Sequence, residues 1–426
     1  MSGLWLHVRN SPVRWALPVF VAIELAVLFL RNRHWIGVWP ETGAAALAPA
    51  YLLGVVGAGA AAWAASAPKR HRIMEQLTAS RVHPARLEAN RLGATVIVLL
   101  VPYLVGQAVA FMITARTFPP GVHLWLGYAF LGIFVILAST ALGWACGKLL
   151  GSMFAALTAA LGFLFLTAFL DRFGFVVISG RPEMTVDPGA LALRLASVTV
   201  LLLMLLCLPA SHALRRRRTL LLVPAVLPLV VALVATDAVT DRKQPGEDVA
   251  CVEGTTTLCI WPEHEKYLPQ LREVSARIDL LPESFVRPPR INQAGIQKAW
   301  IRLPDGQCHL SYNGAPPIFY IFEGSSWSFS GDIGTAIISS TFKFDSCAWN
   351  DLSPPDRRRF EALGAWLEAY LAGESSPDYQ TNAPADTQEA WSDGREIANG
   401  DSLSDQFRWA DEEVKYIHGR YCQPGR

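Results

Sequence analysis

Seven stretches of almost unbroken apolar residues occupy the first 239 positions of the chain, at roughly 15–31, 44–66, 93–115, 124–146, 152–170, 190–213 and 219–238. Each is close to the length a helix needs to cross about 30 Å of hydrocarbon, with the first and last near the short limit. No soluble layer could bury so many near-chargeless stretches, so seven transmembrane helices are expected. Beyond residue 240 the pattern changes. Glu263 to Leu281 has helical spacing, with Leu268, Leu271, Val274, Ile278 and Leu281 on one side. Residues 299–303, 307–312, 317–322 and 335–344 are short β-rich runs between Gly, Pro and Asn. Pro354-Pro355-Asp356 opens a second helix that runs through Phe360, Leu363, Trp366, Leu367 and Tyr370 to a stop at Gly373. Residues 374–402 are polar and rich in turn formers, and Leu403 to Tyr421 reads as a final helix. The pattern predicts a polytopic α-helical membrane protein, residues 1–239, followed by an α+β domain, residues 240–426.

Charge sharpens this division. Residues 1–239 hold 19 Lys+Arg against 8 Asp+Glu, and residues 240–426 hold 18 against 28. The acidic tail argues against nucleic-acid binding. Basic loops set orientation, because cytoplasmic loops carry the excess of Lys and Arg. Pro68-Lys69-Arg70-His71-Arg72, continuing through Arg81, Arg86 and Arg91, is assigned to the cytoplasm, as are Lys148 and the run Arg215 to Arg218. The alternate loops carry only Arg31, Arg33, Arg116, Arg172 and Arg181. The N-terminus is then cytoplasmic, segment one is a signal anchor behind Arg9 and Arg14, and the tail is extracytoplasmic. Pro224 and Pro228 interrupt segment seven, and a re-entrant segment there would put the tail on the other side. Arg outnumbers Lys, and Ala and Leu abound, as in a GC-rich bacterial gene; the expected location is the bacterial plasma membrane.

Cysteine placement bears on the same point. Cys146 and Cys207 lie in apolar segments, whereas Cys251, Cys259, Cys308, Cys347 and Cys422 lie in the tail. Such clustering favours an oxidising compartment and disulfides. Cys251 with Cys259 is the first pairing expected and Cys308 with Cys347 the second; Cys422 is left over, and the connectivity stays open. Neither CxxC spacing nor HExxH is present, so no metal site is expected, and Trp261-Pro262-Glu263-His264-Glu265 resembles a zinc cluster only superficially. No GxSxG run marks a serine nucleophile.

Within the apolar segments, Gly54, Gly57, Gly59, Gly143, Gly147 and Gly151 let helices approach closely, either within the bundle or between copies. Trp35, Trp39 and Trp125 sit at depths where interfacial rings are favoured. Phe173 to Ile178 is apolar enough to dip into the membrane. Arg194 is expected to snorkel towards the interface. Glu24, in the middle of segment one, is an intramembrane carboxyl and so a candidate for function.

The segment Arg72-Ile73-Met74-Glu75-Gln76-Leu77-Thr78-Ala79-Ser80-Arg81-Val82-His83-Pro84, continuing to Gly93, carries the sharpest signal. It resembles the stretch between the first two core helices of ABC-2 type transporter permeases. The start of the tail, Cys251 through Pro262-Glu263-His264, resembles extracytoplasmic modules fused to actinobacterial ABC permeases. The resemblance covers roughly 15–213 and implies six core helices plus one. It implies a coupling element at 70–92 in which Glu75, Gln76, Leu77, Arg81 and Pro84 dock on a separate ABC ATPase, and pairing with a second permease. The chain has no GxxxxGK[ST] run, so ATP would be bound by the partner and no cofactor is expected here. The implied function is the permease subunit of an exporter. The alternatives are a membrane-anchored receptor or scaffold working through its tail, or a membrane hydrolase.

Overall fold

A computed structural model describes residues 3–70, 84–150, 154–171, 175–207, 226–242, 249–297, 300–302, 308–310, 317–322, 326–343, 347, 351–373, 383–400 and 402–422. The chain divides into two compact units, Met1–Arg242 and Lys243–Arg426.

The first unit contains α1 (Gly3–Arg9), α2 (Leu17–Leu30), α3 (Trp39–Arg70), α4 (Pro84–Thr114), α5 (Val122–Leu150), α6 (Ala155–Leu170), α7 (Pro188–Cys207) and a helical run, α8, over 226–234. Four of these, α3, α4, α5 and α7, are long and apolar enough to cross a membrane. Helix α6 is a shorter apolar helix, and the 14 residues of α2 span about 21 Å. Leu157, Leu161, Leu164 and Phe165 of α6 are exposed, a face suited to hydrocarbon rather than water. The core seam runs between α3 and α5. A Cβ on Gly143 would strike the Ala58 carbonyl, and one on Gly147 the Ala62 carbonyl. The small residues thus serve packing inside the bundle.

The helix ends sort into two sets. Arg91 donates to the Ala64 carbonyl, and Lys148 donates to the Leu205 carbonyl (2.6 Å) and lies 3.7 Å from Glu88. These contacts gather the ends of α3, α5 and α7 with the start of α4. At the opposite end, Trp39 donates to the Pro119 carbonyl (2.7 Å), and Thr42 bonds Thr114 (2.7 Å). Arg31 donates to the Ile178 carbonyl (2.6 Å) at the same end. There, β1 (Met184–Val186) pairs antiparallel with β2 (Val239–Asp241), and the Arg242 amide donates to the Glu183 carbonyl (2.7 Å). Helix α7 leaves β1 and α8 arrives at β2, so the chain leaves this unit at the end where α7 began. The pairing also moves the boundary from the expected 239 to Arg242.

One expectation for this unit is corrected. Arg194 does not snorkel: it is 1% exposed and donates to the Ala232 (3.3 Å) and Thr236 carbonyls at the end of α8. Carbonyls at a helix terminus lack intrahelical amide donors; the Ala232 carbonyl also accepts from the Thr236 hydroxyl (2.6 Å), and the guanidinium adds a donor to both. Trp35 and Trp39 are buried against other parts of the bundle, with the Trp39 ring tilted against Phe111 at 5.0 Å. The part of the outer loop after residue 174 packs into the bundle. Tyr51 donates to the Phe175 carbonyl (2.7 Å) and accepts from the Val177 amide (3.0 Å).

The second unit has β3 (Ala250–Val252), β4 (Thr257–Ile260), α9 (Leu268–Leu280), β5 (Arg290–Gln293), β6 (Trp300–Arg302), β7 (Cys308–Leu310), β8 (Ile318–Phe319), α10 (Ser326–Phe342), α11 (Pro354–Ala372), α12 (Ala385–Gly400) and α13 (Leu403–Tyr421). The main sheet has the order β3-β4-β5-β8. Its β3–β4 pair is antiparallel and the other two pairs are parallel, with α9 as the crossover between β4 and β5. Leu271, Val274, Ile278 and Leu281 are buried, so the expected stripe is the core face. Helix α11 begins at its Ser353 cap and ends at Gly373, whose φ of 68° is the left-handed cap that glycine adopts without strain.

Two segments differ from expectation. Residues 335–344 read as a strand, but Thr335 to Phe342 are helical within α10, with Ile333, Ile337 and Thr341 buried at i, i+4, i+8. Packing overrode the β preference of Ile and Thr. Most of the expected turn-rich excursion is α12, docked on α11 where Gly394 abuts the Ala362 carbonyl. Cys251 and Cys259 are facing register partners and bonded, with Cα atoms 4.1 Å apart. Cys347 bonds Cys422, not Cys308 (Cα–Cα 4.2 Å). Helix α13 folds back along α11 and brings Cys422 to Cys347.

Candidate functional site

Two polar clusters inside the first unit bear on function. The first is mid-bundle. Phe20, Glu24 and Leu28 form the buried stripe of α2, and Glu24 is 0% exposed. Its carboxyl lies against Gly106 of α4, where a Cβ would collide with Glu24 Cγ and Oε1. Tyr103, Gly106 and Gln107 share one face of α4 at i, i+3, i+4. The Tyr103 hydroxyl donates to the Ala129 carbonyl (2.8 Å) and accepts from Gln107 Nε2 (2.8 Å). Gly132 of α5 leaves room for that hydroxyl. Both Glu24 oxygens and Gln107 Oε1 are buried without a hydrogen-bond partner. The composition singled out Glu24 alone; Gln107 and the glycine before it were its signal on α4, a polar break in an apolar segment.

The second place is the basic end. Arg91 pairs with Glu88 (3.3 Å), donates to the Ala64 carbonyl and lies over the Trp144 ring (5.8 Å). With Lys148 bridging Glu88 and the Leu205 carbonyl, one small network joins four helices. Glu75, Gln76, Leu77 and Arg81 lie outside the described residues, and Pro84 is the first residue of α4.

In the second unit the Trp261–His264 segment locks β4 to β5. The Trp261 amide donates to Gln293 Oε1 (3.1 Å), and its indole donates to the Ala294 carbonyl (2.9 Å). Gln293 Nε2 then donates to His264 Nδ1 (2.9 Å), which leaves the His264 proton on Nε2. Glu263 and Glu265 sit in the first turn of the 3₁₀ helix Pro262–Tyr267, where its N–H groups favour anions. Among the described residues no three His, Cys, Asp or Glu side chains converge as metal ligands do. No protein-family model, curated protein or solved structure matches the chain.

Proposed function

We propose that the chain is the membrane-spanning subunit of an ABC-2-like exporter, driven by a separate ABC ATPase and paired with a second permease. The observation that carries this reading is the Glu88–Arg91–Lys148 network. It sits in the first turns of α4, at the C-terminal end of the 70–92 segment, and ties that helix to the ends of α3, α5 and α7. A push on the segment would reach four helices as one body rather than bending a single loop. The protein then crosses the bacterial plasma membrane seven times, with the basic end and N-terminus cytoplasmic. The return of α8 to the β1 end, where the chain leaves the first unit, supports an extracytoplasmic tail. A receptor or scaffold working through the tail is the second reading, favoured by the separate compactness and two disulfides of that unit.

Replacing Glu75 by Arg and Leu77 by Asp together is expected to abolish co-purification with the ATPase and its stimulated hydrolysis, while membrane insertion stays normal. Loss of such contacts amounts to about 2–4 kcal/mol at an interface. Survival of both activities would leave the receptor reading in place. A single cysteine at Ser375, in a background lacking the tail cysteines, should react with an impermeant maleimide on intact cells. Reaction only after permeabilisation would refute the seven-crossing arrangement.

A further inference from the structure

We propose that Glu24 is a proton-binding site inside the membrane unit, taking up and releasing one proton against the face of α4 formed by Tyr103, Gly106 and Gln107. The inference stands on the local geometry and does not depend on the exporter reading. An unpaired, ionised carboxylate in hydrocarbon costs several kcal/mol. Among the described residues no hydrogen bond reaches either oxygen of Glu24. The neighbouring polar groups are already committed in one direction. The Tyr103 hydroxyl spends its proton on the Ala129 carbonyl, and the Gln107 amide donates to Tyr103. Of the described Glu24, Tyr103 and Gln107 side chains, what remains unpartnered is three buried acceptor atoms, Glu24 Oε1, Glu24 Oε2 and Gln107 Oε1. A proton on Glu24 is the smallest guest that corrects this imbalance, because it turns one acceptor into a donor on the face that holds Gln107 Oε1.

The packing selects against anything larger. The carboxyl lies flush on α4 where even a methyl group at Gly106 would not fit. The space is also built rather than incidental: Gly106 makes room for Glu24, and Gly132 makes room for the Tyr103 hydroxyl. Helix α2 packs on α3 and α4. The titratable group that faces Glu24 from α4 is Tyr103, and Tyr51 of α3 lies beyond it. Neither supplies a positive charge, so protonation of Glu24 is balanced by loss of its own charge and not by a fixed cation.

The test is infrared difference spectroscopy on the full-length protein in lipid nanodiscs, stepped from about pH 6 to about pH 9, the range over which a buried carboxyl can exchange its proton. The expected result is a neutral-carboxyl C=O band that is lost on raising the pH and is missing from Glu24→Gln. Gln107→Leu removes the acceptor and should move the frequency of the band and its midpoint by about one pH unit. Should Glu24→Gln fail to fold, the shift in Gln107→Leu assigns the band. A band that persists unchanged across the range makes Glu24 a permanently neutral structural acid and overturns the proposal. Absence of any band that responds to Glu24→Gln or Gln107→Leu overturns it equally.

Discussion

Gly143→Leu is expected to prevent the first unit from folding, whereas Gly162→Leu is expected to be silent. Both glycines lie in apolar helices of similar composition, so the difference comes from packing alone. Ala58 and Ala62 of α3 face Gly143 and Gly147 of α5 one helical turn apart, and backbone meets backbone at each step. A side chain at Gly143 would occupy the position of the Ala58 carbonyl oxygen. Overpacking of a core commonly costs about 1–3 kcal/mol, and a rigid backbone cannot turn aside as a side chain can, so about 3 kcal/mol or more is expected here. Nothing lies within 4 Å of a Cβ at Gly162. In a membrane the interhelical drive is itself packing, so loss of the seam has no hydrophobic substitute. Thermal stability of the detergent-solubilised protein, read by size-exclusion profile, checks both variants. Equal stability of the two would mean that α3 and α5 do not meet through these residues.

The second large effect is expected from Cys347→Ser with Cys422→Ser. This bond joins residues 75 apart, and its removal should cost the second unit about 4 kcal/mol in the chain-entropy account. The Cys251–Cys259 bond spans only 8 residues and should contribute about 2–3 kcal/mol at best. Helix α13 retains other ties to α11. Arg359 grips Glu413 with two hydrogen bonds of 2.8 Å and lies 4.1 Å over the Tyr416 ring. Asp356 accepts from Ser353 (2.5 Å), Tyr421 (2.5 Å) and Tyr416 (3.0 Å). The double Ser variant should therefore keep a native-like α13 that opens more often, seen as faster hydrogen exchange over 403–421 in the full-length protein. Unchanged exchange there would refute the stapling role.

Acid should act on the same junction. The Ser353 and then the Tyr421 hydrogen bonds hold the Asp356 carboxyl down at about 2, below its ordinary value of 3.8. That stabilisation is present above the unfolded value and is lost as pH falls through about 2. Asp332 works in the opposite sense: burial, aided by Glu368, pushes it up to about 6 against the Tyr320 amide bond. Its contribution falls as pH rises through the window from 3.8 to about 6. Together the two acids favour the folded unit most strongly at about pH 4.

Several features of this protein were legible in the residues because they depend only on neighbours along the chain. The apolar stretches 44–66, 93–114 and 124–146, and residues 190–207 of the stretch 190–213, fall in α3, α4, α5 and α7. Ser353 and Gly373 bound α11 by local hydrogen bonding and by a left-handed backbone that glycine tolerates. The Cys251–Cys259 pair follows from a short hairpin that brings the two residues face to face. Tertiary structure alone decided the rest. The β-branched run was helical over 335–342 because its buried face met other helices. Residues 385–400 formed a helix because Ala390 and Gly394 found a surface to bury against. Cys347 chose Cys422 over Cys308 only once α13 had folded back. Arg194 found helix-end carbonyls instead of the interface, and Glu24 met Gly106 and a face whose donors were already committed. Periodicity, capping and hydrophobic length are properties of a few adjacent residues; the partner of a buried charge, a cysteine or a glycine is set by residues far away in the chain, which no local pattern encodes.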